Sequence, residues 1–191
     1  MMSLFPIAPV LKPWNGRQSS SPQQSPIAIR QAEGPDAEVI SELVTANVGR
    51  GLLLPRTAAE ITQHVSRFLV ATRDERVLGC GELAPLTLRL TEVRSLVVAA
   101  DARGSGFGTQ LLAALVATAR RQGIPRLCAF THVPRPFVGL GFAIVPHTWL
   151  PEKIMTDCQA CEWFRRCEQY AVVFELTGRQ GGPRRMDSGL T

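Results

Sequence analysis

Nowhere does the sequence hold the roughly 18 to 20 consecutive apolar residues that a bilayer-spanning helix needs. Its opening, MMSLFPIAPVLKPW, has prolines where a signal peptide would need an apolar helix. A soluble, cytoplasmic protein is therefore expected, with no membrane partner. Cysteine is scarce and odd in number: five residues, in a chain with no export signal, argue for reduced thiols rather than a disulfide framework. Basic runs interleaved with aromatics are missing, and the one dense cluster, Arg179 to Arg185, lies in a glycine-rich tail, so nucleic acid is a poor partner. Acid is missing too. From Ala102 to Pro151 there is no Asp or Glu, yet there are five arginines, Arg103, Arg120, Arg121, Arg126 and Arg135. Within a net charge of +5, this block should see an anion.

What is present suffices for one globular domain, since 191 residues at 45% hydrophobic can bury a core of their own. Residues 1–26 and 178–191 are rich in Ser, Gln, Pro or Gly with few apolar anchors, a composition expected to stay disordered. The folded unit is expected over residues 27–177. Ile27 to Arg30 reads as a short strand, and Pro35 sits ahead of the helix-periodic Val39, Ile40, Leu43 and Val44. Thr57 with Glu60 three residues on has capping-box spacing and predicts a second helix to about Val65. Strands follow at Phe68 to Thr72, Val77 to Leu83 and Val93 to Val98, separated by a charged turn and a link containing Pro85. Leu112, Leu115, Val116 and Ala119 share one face of a helix from Thr109 to Gln122, ended by Gly123 and Pro125. Leu127 to Phe130 and Ala171 to Leu176 complete the strands. The order predicts a mixed α/β sheet.

Arg103-Gly-Ser-Gly-Phe-Gly108 lies between an apolar strand and a helix. Glycines there let successive backbone N–H groups face one point, and the helix start adds partial positive charge, so a phosphate or pyrophosphate fits. A P-loop needs Gly-Lys-Ser/Thr, but Thr109 and Gln110 follow Gly108. A dinucleotide fold needs an acid about 20 residues on, and the next after Asp101 is Glu152. Both readings fail.

Arg103, Gly106 and Gly108 match the Arg/Gln-x-x-Gly-x-Gly/Ala cofactor motif, and Phe137-Val-Gly-Leu-Gly141-Phe142 looks like the later aromatic-x-x-x-Gly-Phe segment, of GNAT N-acetyltransferases. On those two motifs the chain resembles that superfamily. The resemblance implies a mostly antiparallel mixed sheet splayed between its fourth and fifth strands, with acetyl-CoA as co-substrate. Backbone groups of Leu96, Val97 and Val98 would meet the pantetheine arm, and Arg103, Gly104, Ser105, Gly106, Phe107, Gly108 and Thr109 the pyrophosphate. Many relatives have Pro where Ala100 stands. Gly51-Leu-Leu-Leu-Pro-Arg-Thr57, Glu92 before its apolar strand, and Leu150-Pro-Glu-Lys153 are similar to the acetyltransferase domain of N-acetylglutamate synthases, which begin arginine biosynthesis. A homodimer is the expectation by analogy with the family.

An acidic amino acid needs cations for its carboxylates, and Arg56, Arg94 and Lys153 are the candidates. Ordinary surface residues are the alternative for each. Amide formation needs a neutral amine, so a base must take a proton; Glu92, at the entry of the central strand, is the candidate, against a structural carboxylate. Phe137 stands where many relatives have a tyrosine acid. The only tyrosine is Tyr170, leaving Thr131 and His132 as the nearest polar groups after strand five and the acid unassigned. Cys158, Cys161 and Cys167 have partial zinc-site spacing, with Asp157, His147 or a distant cysteine as a fourth ligand. Buried small hydrophobes are the favoured reading over a structural zinc or a redox role, and no metal is assigned. Cys80 and Cys128 read as core, and Trp149, Trp163 and Phe164 as cover for the substrate loop or core anchors. Acetyl transfer to the α-amine of glutamate or a related amino acid is thus the expected activity. Its rivals are another small amine or a protein N-terminus as acceptor, and a catalytically idle acetyl-CoA-binding regulatory module.

Overall fold

A computed structural model describes residues 25–48 and 53–177. The expected tails at 1–26 and 178–191 lie outside these residues but for Ser25 and Pro26, as do Gly51 and Leu52. Seven strands form one sheet: β1 (Ala28–Gln31), β2 (Phe68–Arg73), β3 (Arg76–Pro85), β4 (Thr91–Val98), β5 (Arg126–Thr131), β6 (Ala143–Val145) and β7 (Tyr170–Glu175). Their spatial order is β1-β2-β3-β4-β5-β7-β6, antiparallel throughout except for the parallel β4–β5 pair. Helices α1 (Asp36–Val48), α2 (Ala58–Gln63), α3 (Phe107–Arg121), α4 (Arg135–Gly139) and α5 (Pro151–Lys153) flank it.

The apolar periodicity of α3 is realised as a buried stripe of Phe107, Leu111, Leu112, Leu115, Val116 and Ala119. That stripe packs on one sheet face against Leu69, Leu83, Val93, Leu127 and Ala129. On the other face α1 and α2 bring Ile40, Val44 and Ile61 against Phe68, Val70, Cys80 and Val97. A third, smaller cluster joins Leu90, Cys128, Leu150, Ala171 and Val173 on the β5–β7 half. Burial of this kind supplies roughly 25 cal/mol per Å² of apolar surface removed from water.

Local signals fix most ends. Thr57 accepts from the Glu60 N–H while the Glu60 carboxylate accepts from the Thr57 N–H, completing the capping box. α2 nevertheless stops at Gln63, and Val65–Arg67 forms a 3₁₀ turn rather than a continuation. α3 begins at Phe107, earlier than the expected Thr109, because left-handed Gly106 (φ +86°) ends the turn and Gly108 enters the helix.

Two irregularities shape β4. Cys80 pairs with Val97 and Glu82 with Arg94, so Gly81 alone faces both Ser95 and Leu96. Ser95 absorbs this bulge at φ +52°. A Cβ on Gly81 would come within 2.7 Å of Leu115 Cδ1, so glycine is what lets α3 approach the sheet there. The β4–β5 register then ends at Glu92–Cys128, although β4 continues to Val98 and β5 to Thr131. The splay expected between the fourth and fifth strands is present.

Candidate functional site

The glycine turn sits at the open end of the splay, between β4 and α3. Gly104 (φ +77°) and Gly106 (φ +86°) both occupy the left-handed region, and a Cβ at Gly104 would meet nothing within 4 Å. No side chain caps the first turn of α3. The N–H groups of Phe107, Gly108 and Thr109 therefore lack a helical carbonyl, and with the helix dipole they suit an anion. The Phe107 ring itself is buried in the core, so only its backbone is available. Arg103 is not aimed across the turn. Its Nε donates to Val98 O at 3.2 Å and its Nη2 to Asn47 Oδ1 at 2.8 Å, which ties the turn to β4 and α1.

Where the splay begins, one side-chain network gathers Glu92, Arg94, Arg56 and Lys153. It also contains two further carboxylates: Glu82, which the sequence did not single out, and Asp157, which it offered only as a possible zinc ligand. Glu82 on β3 stands directly opposite Arg94 on β4 and has no solvent exposure. Its Oε2 accepts from Arg94 Nε at 2.8 Å and from Arg56 Nη2 at 3.0 Å. Arg56 reaches it from the α1–α2 connection, directly ahead of the Thr57 cap. Lys153 Nζ lies 2.8 and 2.9 Å from the two Glu92 oxygens and donates to Asp157 Oδ2 at 2.7 Å. Its three protons have three acceptors. Arg94 Nη1 stands 4.0 Å from Asp157, linking the two halves of the network.

Glu92 is 2% exposed. Burial pushes its carboxyl above the ordinary carboxylate range, with Lys153 opposing that shift only in part. Burial likewise works against the Lys153 ammonium, but Glu92 and Asp157 outweigh it and hold the ammonium protonated. Burial also opposes the charge of Arg94, and Glu82 restores it. A carboxylate raised in this way is a better proton acceptor near neutrality than an exposed one.

Other candidates are placed differently. Tyr170 opens β7 opposite Thr131, at the wide end of the splay, and is half exposed. Phe137 is buried with Phe142 in an edge-to-face pair, centroids 5.3 Å apart, and carries no hydroxyl. Trp149, Trp163 and Phe164 are not core anchors: all three are exposed, Trp149 in the turn ahead of α5 and the other two in the turns between α5 and β7. All five cysteines are free thiols. Cys80 and Cys128 are core, as expected, and burial pushes the Cys80 thiol up to about 12. Among the described residues no group of three or more His, Cys, Asp or Glu is arranged to hold a metal ion. No described helix is long and apolar enough to cross a membrane. A concavity of about 410 Å³ beside Arg30, Arg73, Asp74 and Glu75 lies at the β1–β2 edge and includes none of the network residues.

Comparisons with known proteins bear on this geometry. The model of the acetyltransferase (GNAT) family matches residues 40–137. An uncharacterized N-acetyltransferase from Chlorobaculum tepidum is 30% identical over 148 residues, 78% of this chain and 96% of that protein. An amino-acid acetyltransferase from Neisseria meningitidis is 31% identical over 145 residues, 75% of this chain but 33% of its own length. The chain thus spans about a third of that relative. N-acetylglutamate synthase from Neisseria gonorrhoeae, solved with coenzyme A and N-acetyl-glutamate, superposes with a TM-score of 0.70 at 27% identity, covering 82% of this chain and 36% of that one.

Proposed function

The chain belongs to the acetyltransferase (GNAT) family of acetyl-CoA-dependent N-acyltransferases, and from that premise we propose that it acetylates the α-amine of glutamate or a related amino acid. The observation that carries this reading is the network where the splay begins, in which a buried carboxylate, Glu92, lies beside cations suited to a carboxylate-bearing acceptor. The names of the meningococcal relative and of the gonococcal synthase support the same class of acceptor. With glutamate itself as acceptor the reaction is the one that begins arginine biosynthesis, and residues 27–177 form the acetyltransferase domain.

The residues present fit the co-substrate. Two left-handed glycines and an uncapped helix start offer N–H groups to a pyrophosphate, and the β4 backbone from Leu96 to Val98 has no β5 partner, leaving it for the pantetheine arm. Acetyl-CoA supplies an acyl thioester, which an amine attacks only when it is neutral. Glu92 takes the ammonium proton, its raised affinity for protons matching it to that task. Arg56 and Arg94 orient the acceptor through its carboxylate, which turns the amine toward the thioester, while Lys153, expected from the sequence to share that task, has its three protons engaged by Glu92 and Asp157 and holds the base in place. Arg103 keeps the anion-binding turn at the end of β4.

A second reading, an acetyl-CoA-binding module without turnover, is favoured by one observation: Phe137, buried and without a hydroxyl, stands where many relatives carry their tyrosine acid. Thiol release from acetyl-CoA with each common amino acid as acceptor separates the two. Turnover confined to glutamate and its close relatives is the expected result. Coenzyme A binding without release over the whole panel would leave the idle module or a protein N-terminus as acceptor.

A further inference from the structure

We propose that Glu82 sets the charge of the acceptor, making the site selective for an amino acid with one carboxylate and a neutral side chain over a dicarboxylate. This rests on the amino-acid reading above and narrows it. Arg56 and Arg94 donate to the same Glu82 oxygen, at 3.0 and 2.8 Å, so the two guanidinium groups are held side by side on one buried carboxylate. Two cations and one anion leave that half with a single positive charge. A guanidinium has five N–H donors, and each arginine gives Glu82 only one or two. In this scheme the donors that Glu82 leaves unused, with Arg94 Nη1 also 4.0 Å from Asp157, serve one carboxylate.

The other half is its complement. Lys153 faces both Glu92 and Asp157, so with Glu92 in its carboxylate form this half carries a single negative charge and suits one ammonium. The six-residue site is therefore charge-matched to a zwitterion: carboxylate toward Arg56 and Arg94, ammonium toward Glu92 and Asp157. A second acceptor carboxylate would enter a site whose three cations are already balanced, and like-charge placement of that kind is how sites reject wrong partners. Glu82 does not touch the acceptor in this scheme. It is a positioning residue, acting through the two arginines.

Glutamine and glutamate test the idea cleanly because they have nearly the same shape and differ by one charge. In the intact protein, kcat/KM for glutamine is expected to exceed that for glutamate by about tenfold or more, with the difference mainly in KM. Glu82→Gln keeps the side-chain shape and removes the charge. It is expected to lower the glutamine-to-glutamate ratio by about tenfold while the KM for acetyl-CoA stays unchanged. Asp157→Asn is the companion variant, since Asp157 is partly exposed and its loss leaves the fold's core untouched; it should move the ratio the same way. A preference for glutamate in the intact protein overturns the proposal and leaves the amino-acid reading standing. So does an equal loss with both acceptors in the variants, which is what a merely structural role gives. Failure to acetylate any amino acid overturns both.

Discussion

At the residue scale, the pair Glu92–Lys153 joins stability to chemistry. A base acts only when deprotonated, and burial raises the proton affinity of Glu92. The rate should therefore fall as pH drops through a value above the roughly 4.3 of an ordinary glutamate. In Glu92→Gln, kcat at neutral pH should fall by about 10²-fold or more while acetyl-CoA binding is preserved. Equal losses in both would remove Glu92 from the base role. Lys153→Met strips Glu92 of the cation that opposes its burial, so the acidic limb of the pH–rate profile should move to higher pH. Breaking a buried pair from one side also costs roughly 3–5 kcal/mol of folding stability, measurable by denaturant titration. An unmoved limb would show that Lys153 does not tune Glu92. Glu92, Arg56 and Lys153 stand in the segments similar to N-acetylglutamate synthases, and Arg94 was a further candidate cation for an acidic acceptor. Glu82 was not legible, because in Gly79-Cys-Gly-Glu-Leu83 it reads as the outward residue of a strand, and only the cross-strand register places it opposite Arg94.

At the scale of elements, what could be read from sequence was what local chemistry determines. The capping box of α2, the stripe and glycine stop of α3, and the run of β3 up to Pro85 all depend on neighbours within a few residues. β6 escaped because it is three residues at a sheet edge, two of them exposed, and forms only by pairing with β7. α4 escaped for a similar reason: five residues, with only Phe137 buried, make too short a period to recognise. The bulge at Ser95 escaped because a non-glycine residue at φ +52° is held there by the sheet and not by its own preference. The turn ahead of α3 yields the clearest element-level prediction. Gly106→Val places a β-branched residue at φ +86°. The turn should distort, and acetyl-CoA affinity should drop by at least about tenfold, while the KM for the acceptor changes little. Calorimetric titration with coenzyme A checks this, and unchanged affinity would exclude the turn as the anion site.

At the scale of the whole molecule, the sheet is continuous in order but not in strength. β1 to β4 form one antiparallel ribbon, and β5, β7 and β6 form another. Two register positions, Thr91–Leu127 and Glu92–Cys128, are the hydrogen-bonded seam between them. Hydrophobic packing under α3 spans the seam from one side, since Val93 and Leu127 share that cluster. A molecule lodged in the gap would lie across that seam. Binding energy of that kind is felt as cohesion: a ligand at 100 times its dissociation constant adds about 2.7 kcal/mol to the folded state. Coenzyme A should accordingly raise the unfolding midpoint with its concentration, and slow amide exchange in β5 and β7, the far ribbon, as much as in β4. With the co-substrate seated there as proposed, it would reinforce the seam, and the protein would be weakest at that seam without it.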